Sequence, residues 1–228
     1  IIGGRYGLSS KDTTPAQIIA VYEHLEKDGH DNFTVGIIDD VTHLSLPVDE
    51  SIDISDPATT EALFFGLGSD GTVGANKNTI KIIGENTDLY AQAYFAYDSK
   101  KSGGVTRSHL RFGKKPIRST YLVTHPSFVS CSVDTYLYKY DMLSGLRKGG
   151  TFLLNTVYSA EEIVEKMPNR VKRLLAEKEA KFYIIDAVTL AREIGLGNRT
   201  NTILQSAFFK LNEQIMPFDQ AEELMKKY

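Results

Sequence analysis

Apolar residues in this chain gather in short unbroken runs, and the stretches between them carry apolar residues at helical spacing. Ala62 to Phe65 is a run suited to a strand buried on both faces, and Phe182 to Ile185, ending at Asp186, reads the same way. Leu89 to Tyr97 and Val105 to Phe112 carry enough aromatic and β-branched residues for two further strands. Phe33 to Ile38 is another, stopped by Asp39 and Asp40. Weaker strand signals lie at Tyr121-Leu122-Val123 and Thr151 to Leu154, with Gly149-Gly150 expected to stop a helix between them. Gly113 to Pro116 turns the chain towards Ile117 to Thr124, where an antiparallel excursion is expected.

Thr14 as N-cap and Pro15 in the first turn predict a helix to about Lys27. Val73, Ile80 and Ile83 mark a second. Ser159, with Glu161 and Glu162 after it, opens a third. Pro168 interrupts it, and Arg170 to Glu179 resumes with Val171, Leu174 and Leu175 on one face. Thr189 to Ile194 is helical, the loop Gly195 to Asn201 follows, and helices divided at Pro217 run to the C-terminus. Strands alternating with helices predict an α/β protein: a three-layer α/β/α arrangement around a mixed, mostly parallel sheet. Pro47 to Pro57 is acidic and poor in large apolar residues, so residues 46–60 read as a linker. Residues 1–45 are too few to fold alone and read as the end of a preceding domain, with residues 61–228 forming the next. The start at Ile1 rather than Met points to a chain cut from something longer.

Composition narrows the function classes. A chain of 228 residues, 42% hydrophobic, has room for one large or two small domains, and its formal charge of −3 gives no reason to expect nucleic acid or an acidic membrane as partner. No apolar stretch is long enough to span a bilayer and no secretory signal is visible, so a reducing cytoplasm is the expected location. A single cysteine, Cys131, excludes an internal disulfide, a cysteine-based zinc site and a four-cysteine iron–sulfur cluster.

The chemistry concentrates between Ala62 and Lys77. Gly66, Gly68, Gly71 and Gly74 are interleaved with Ser69, Asp70 and Thr72, between the first strand and the helix of Val73 to Ile83. Strand, glycine-rich turn and helix point backbone N–H groups and the positive end of a helix dipole at an anion. Gly66, Gly68 and Gly71 match G-x-G-x-x-G by spacing, but no Gly-Lys-Ser/Thr closes a Walker loop. The segment reads as a phosphate-binding loop; a purely structural turn is the plainer alternative.

Several segments together resemble one family. They are Gly3 to Lys11, Asp39 to His43, Gly66 to Lys77 (GLGSDGTVGANK), Ser108 to Gly113 and Gly149 to Asn155. In this order they resemble the pyruvate:ferredoxin (flavodoxin) oxidoreductases, over nearly the whole chain. The resemblance implies that residues 1–45 end a transketolase-C-terminal-like domain and that residues 61–228 form the gamma-type domain that holds coenzyme A. It further implies a parent enzyme, a homodimer, that makes acetyl-CoA and CO2 from pyruvate and coenzyme A and reduces ferredoxin or flavodoxin. Thiamine diphosphate and [4Fe–4S] clusters serve that parent, yet neither the thiamine diphosphate signature nor the cluster cysteines occur in this chain. No catalytic residue and no metal ligand are expected here, and the chain alone lacks a complete active site.

On that implied role, the N–H groups of Ser69, Gly71 and Thr72 would meet the coenzyme's pyrophosphate, with Gly74 letting the backbone approach. Asp70 would accept from an adenine amine or ribose hydroxyl, or merely fix its own turn. Lys100 and Lys101 follow the strand ending at Tyr97 and would contact the 3′-phosphate. Asn198 would bond the adenine or ribose, or simply hold a turn. His109 and Arg111 share a strand face with no acid or nucleophile beside them, so a structural or interdomain role is expected. The residues alone also admit a nicotinamide or flavin dinucleotide-binding domain, with Asp98 on the ribose.

Overall fold

The computed structural model describes residues 1–7, 12–38, 41–97 and 103–228. The chain divides into two compact units, one of residues 1–56 with 119–122 and one of residues 57–118 with 123–228. The smaller holds strand β1 (Gly4–Tyr6), helix α1 (Pro15–Glu26) and strand β2 (Phe33–Val35). α1 starts as the sequence dictates: Thr14 Oγ1 accepts from Gln17 N at 3.3 Å, and Thr14 N donates to Gln17 Oε1 at 3.2 Å. β1 and β2 pair in parallel.

The larger unit contains β3 (Thr60–Leu67), α2 (Thr72–Asn86), β4 (Tyr90–Tyr97), β5 (Val105–Gly113), β6 (Phe128–Cys131) and α3 (Tyr136–Lys139). It continues through β7 (Thr151–Asn155), α4 (Ala160–Lys166), α5 (Asn169–Glu177), β8 (Lys181–Ile185), α6 (Ala187–Glu193), α7 (Asn201–Leu211) and α8 (Phe218–Lys227). Its six-stranded sheet has the order β4-β5-β3-β6-β7-β8. β3, β6, β7 and β8 are parallel neighbours, whereas β5 is antiparallel to both β3 and β4.

Alternation along the strands splits the core into two layers. Ala62, Phe64, Leu110 and Phe112 pack with Ile82 and Ile83 of α2 and Phe208 and Phe209 of α7. Phe65, Val129, Cys131, Phe152 and Leu154 pack on the other face with Leu137, Ile163 and Val171 of α3, α4 and α5. The three-layer α/β/α fold with its mixed, mostly parallel sheet is thus as the sequence predicts.

Two local expectations are corrected. Residues 117–124 form no strand, because both edges of β5 are already paired and leave none for a hairpin partner. Val123 N instead donates to His109 Nδ1 at 3.2 Å. The stretch before Gly149 is not a long helix; it holds the central strand β6 and the short α3. Ser127 N and Ser132 N, at the two ends of β6, donate to Glu61 O and Phe65 O of β3.

Glu61 sets the base of β3. It is 1% exposed and lies directly across from Arg111 of β5, whose Nε is 2.6 Å from Glu61 Oε1. Arg147 Nη2 reaches Glu61 Oε2 at 3.2 Å, and Arg111 Nη1 donates to Gln92 Oε1 of β4 at 3.1 Å. The carboxylate therefore joins β3 to β5 and to the loop before β7, away from solvent. Replacing Glu61 by Ala would leave two guanidinium groups without their shared counter-ion, one of them deeply buried. The expected loss is about 3–5 kcal/mol, read by urea unfolding. A loss under about 1 kcal/mol would show that the pair does not hold the sheet.

Candidate functional site

The sequence-predicted loop lies where the parallel sheet opens. β3 is followed by α2 on one face of the sheet, and its parallel neighbour β6 is followed by α3 on the other. The carboxyl ends of β3 and β6 thus border a topological switch point, the place where open α/β sheets bind ligands.

Asp70 builds this loop. Its Oδ2 accepts from Leu67 N and from Ser132 Oγ, each at 2.8 Å, and its Oδ1 accepts from Thr72 N at 2.8 Å. Its own N donates to Leu67 O at 2.9 Å. Of the two roles open to Asp70 on sequence, the structure displays the turn-fixing one: the carboxylate stitches the end of β3, the start of α2 and the residue after β6. Ser69 takes φ 78° and Gly71 φ 86°, both left-handed. A side chain at Gly71 would also fall 2.8 Å from Asn201 Cγ, so conformation and space both call for glycine. At Gly66 an added Cβ would lie 2.7 Å from Thr72 Cβ, which explains how α2 packs so closely on its strand.

The N–H of Thr72 is occupied by Asp70. Among the described residues, those of Ser69, Gly71, Val73 and Gly74 have no acceptor. The open donors are therefore shifted from the expected set, adding Val73 and Gly74 and releasing Thr72. Gly74 is exposed in the first turn of α2, and a Cβ there meets nothing within 4 Å.

Asn198 is exposed in the loop before α7, where its carbonyl accepts from Thr200 N. The neighbour that reaches the glycine loop is Asn201, the first residue of α7. Lys100, Lys101 and Asp98 lie outside the described residues. Ser132, Asn155 and Asn201 were not singled out from sequence. Ser132 holds Asp70, and its carbonyl accepts from Asn155 Nδ2 at 3.0 Å. Asn155 Oδ1 in turn accepts from Ala187 N at 3.0 Å, carrying the polar chain across β7 to the start of α6. Ser132 and Asn155 sit just beyond and at the end of a strand and Asn201 at the start of a helix, signals that can be read only once the elements are known.

Cys131 is fully buried; burial pushes its thiol up to about 12, and Sγ donates to Val133 O at 3.1 Å. Among the described residues no group of three or more His, Cys, Asp or Glu could hold a metal ion, and no helix is long and apolar enough to cross a membrane.

These features define an α/β domain with a glycine-rich loop at the switch point of its sheet. The profile of the pyruvate ferredoxin/flavodoxin oxidoreductases matches residues 61–228, and the chain belongs to this family. It is 55% identical over 227 residues to the pyruvate:ferredoxin oxidoreductase of Moorella thermoacetica, covering 99% of this chain and 19% of that protein. To the pyruvate-flavodoxin oxidoreductase of Enterobacter agglomerans it is 56% identical over 229 residues, covering 100% of this chain and 19% of the relative. The chain thus spans about a fifth of the length of these relatives. Its fold is also that of subunit PORC of a pyruvate oxidoreductase from Thermotoga maritima, with a TM-score of 0.59 at 22% identity over 75% of this chain and 85% of that one.

His109 faces the opposite layer from α2 and is 5% exposed. Burial, together with the nearby Arg111 and Arg107, lowers its pKa from 6.5 to about 4. The folded state therefore holds the neutral imidazole, and the unfolded chain takes up the proton first as pH falls. Stability from this group is complete above pH 6.5 and declines from there to about pH 4, by about 3 kcal/mol in all. Urea unfolding from pH 7.5 to 4.5 should show a smaller decline in His109→Gln than in wild type. Parallel curves would assign the acid sensitivity to other groups.

Proposed function

We propose that this chain is the coenzyme A-binding part of a 2-oxoacid oxidoreductase that converts pyruvate and coenzyme A to acetyl-CoA and CO2, reducing ferredoxin or flavodoxin. The observation that carries this reading is the set of open N–H groups of Ser69, Gly71, Val73 and Gly74 at the switch-point crevice. A pyrophosphate over the first turn of α2 satisfies donors that Asp70 leaves free. Lys100 and Lys101, which follow β4 in sequence, take the 3′-phosphate, and Asn198 takes the ribose or adenine. In this reading residues 1–45 close a transketolase-like domain, residues 46–60 link it to the gamma-type domain, and the parent acts as a cytoplasmic homodimer.

Thiamine diphosphate and [4Fe–4S] clusters belong to the remainder of the parent. One buried cysteine cannot supply a four-cysteine cluster, and the Gly-Asp-Gly start of the thiamine diphosphate signature does not occur in this sequence. No redox step is therefore assigned to these residues; their task is to bind and orient.

Titration of coenzyme A, its analogue lacking the 3′-phosphate, and NAD into wild type and Gly74→Val tests the reading. A valine at Gly74 has space in the fold, and its side chain leans towards the helix N-terminus over which the pyrophosphate would lie. Coenzyme A should bind wild type, the analogue should bind roughly tenfold more weakly, and Gly74→Val should lose at least that factor for both. Equal affinity in wild type and Gly74→Val would move the phosphate elsewhere. NAD binding as tightly as coenzyme A would favour the dinucleotide alternative.

A further inference from the structure

The antiparallel end of the sheet keeps one face open. On β4, Ala91 and Ala93 pack towards α2, so Tyr90, Gln92 and Tyr94 project from the opposite face. Gln92 is taken up by Arg111 at 3.1 Å, but Tyr90 and Tyr94 remain 50% and 56% exposed. β4 is also an edge strand: it pairs with β5 alone and carries no charged residue along its eight positions. Sheets guard such edges with charge or with a covering element, and charge is missing here.

Two arginines of β5 share this face and differ in their partners. Arg111 is buried against Glu61 and Gln92. Arg107, two residues away on the strand, is exposed, and among the described residues no carboxylate or other acceptor meets it. Its guanidinium lies 5.9 Å from the ring centroid of Phe65 and 6.0 Å from that of Tyr140. Tyr140 is itself steadied edge-on by Tyr136, with ring centroids 4.9 Å apart. The ring faces hold the cation in position and leave its N–H donors to whatever lies outside the domain. A carboxylate fits that planar fork with two parallel hydrogen bonds.

We infer that this face of β4 and β5 is a docking surface for an acidic, otherwise apolar segment of the proposed parent enzyme lying outside this chain. Its carboxylate meets Arg107, and its apolar side chains cover Tyr90 and Tyr94. The chain matches only 19% of the length of its Moorella thermoacetica and Enterobacter agglomerans relatives, so a parent of that size has ample chain to supply the segment. Tyrosine and arginine are the side chains that interfaces favour, and a guanidinium without a counter-ion admits an acidic partner and repels a basic one. Arg107 lies opposite Phe65 on the face away from α2, so the surface is separate from the nucleotide reading and does not depend on it.

The test compares the 228-residue chain with the full-length parent. Tyrosines are nitrated with tetranitromethane and the rate at each is read by mass spectrometry, while sedimentation gives the oligomeric state of the chain. Tyr90 and Tyr94 should react freely in the chain and roughly tenfold more slowly in the parent. In the parent, Arg107→Glu should bring both rates back towards those of the chain, and Arg107→Lys, which keeps the charge, should restore much less. Equal rates in chain and parent overturn the docking surface, and so do slow rates in a monomeric chain, which would mean that the face is covered from within. Slow rates in a chain that sediments as a dimer would make a second copy the occupant. Protection in the parent that survives Arg107→Glu would show that the covering segment is not held by a carboxylate. The first comparison is read on wild type, so it does not depend on any variant folding, and none of these rates depends on whether coenzyme A binds.

Discussion

A carboxylate buried beneath the central strand is tolerable only if its partners are fixed, and Glu61 has them. Arg111 lies directly across from it on β5, and Arg147 approaches from the loop before β7. The pairing acts as a register lock. A slip of one residue between β3 and β5 would carry Arg111 to the opposite face, among Phe64, Leu110 and Phe112, where a guanidinium has no counter-ion. With that register held, the far end of β3 is placed as well: Gly66 and Leu67 lie opposite Thr106 and Val105, and Gly68 N donates to Gly104 O at 2.7 Å. The glycine loop therefore leaves the sheet from a fixed platform.

From that platform the loop is held mainly by a second carboxylate. Asp70 meets two backbone N–H groups and one hydroxyl, drawn from the end of β3, the first residue of α2 and the residue after β6. A residue at positive φ on either side, Ser69 and Gly71, turns the remaining N–H groups outward. The effect is selective. The N–H groups of Gly68, Asp70 and Thr72 are consumed internally, and those of Ser69, Gly71, Val73 and Gly74 stay available at the positive end of a 15-residue helix. An anion arriving there finds donors already oriented, so little ordering is required on binding.

This division explains what could be read from the sequence. Ala62 to Phe65 and the glycines after it are local signals, so β3, its loop and α2 were legible from residue type and spacing alone. β6 was not. Phe128–Cys131 is too short for its alternation to stand out, and the stronger β-formers at Tyr121 to Val123 drew the prediction. Only the pairing on both sides of β5 reveals that residues 117–124 had no edge to join. The polar partners of the loop fail for a related reason. Ser132 lies 62 residues from Asp70, and serine and asparagine at strand and helix ends are too common to single out. Asp70 itself was recognised, but its choice between ligand and turn depended on a hydroxyl that only the fold supplies. The donor set differs from the expected one for the same reason, since Asp70 takes the Thr72 N–H.

The placement of recognition away from any reacting group has a consequence for the proposed reaction. Coenzyme A reacts at its thiol, whereas the groups assembled here suit its nucleotide end. Binding energy from a remote, non-reacting part of a substrate accelerates a reaction only if it is converted into positioning of the part that reacts. That conversion requires a rigid link between the nucleotide site and the rest of the enzyme. In this domain the site is part of the sheet itself: Asp70 connects through Ser132 and Asn155 to Ala187, tying β3, β6 and β7 to α6 by hydrogen bonds of 2.8 to 3.0 Å. A loop built on flexible contacts would bind the nucleotide more weakly and pass less of the binding energy on as positioning. On the proposed function, the polar chain across the strand ends is what would let nucleotide binding contribute to kcat as well as to KM.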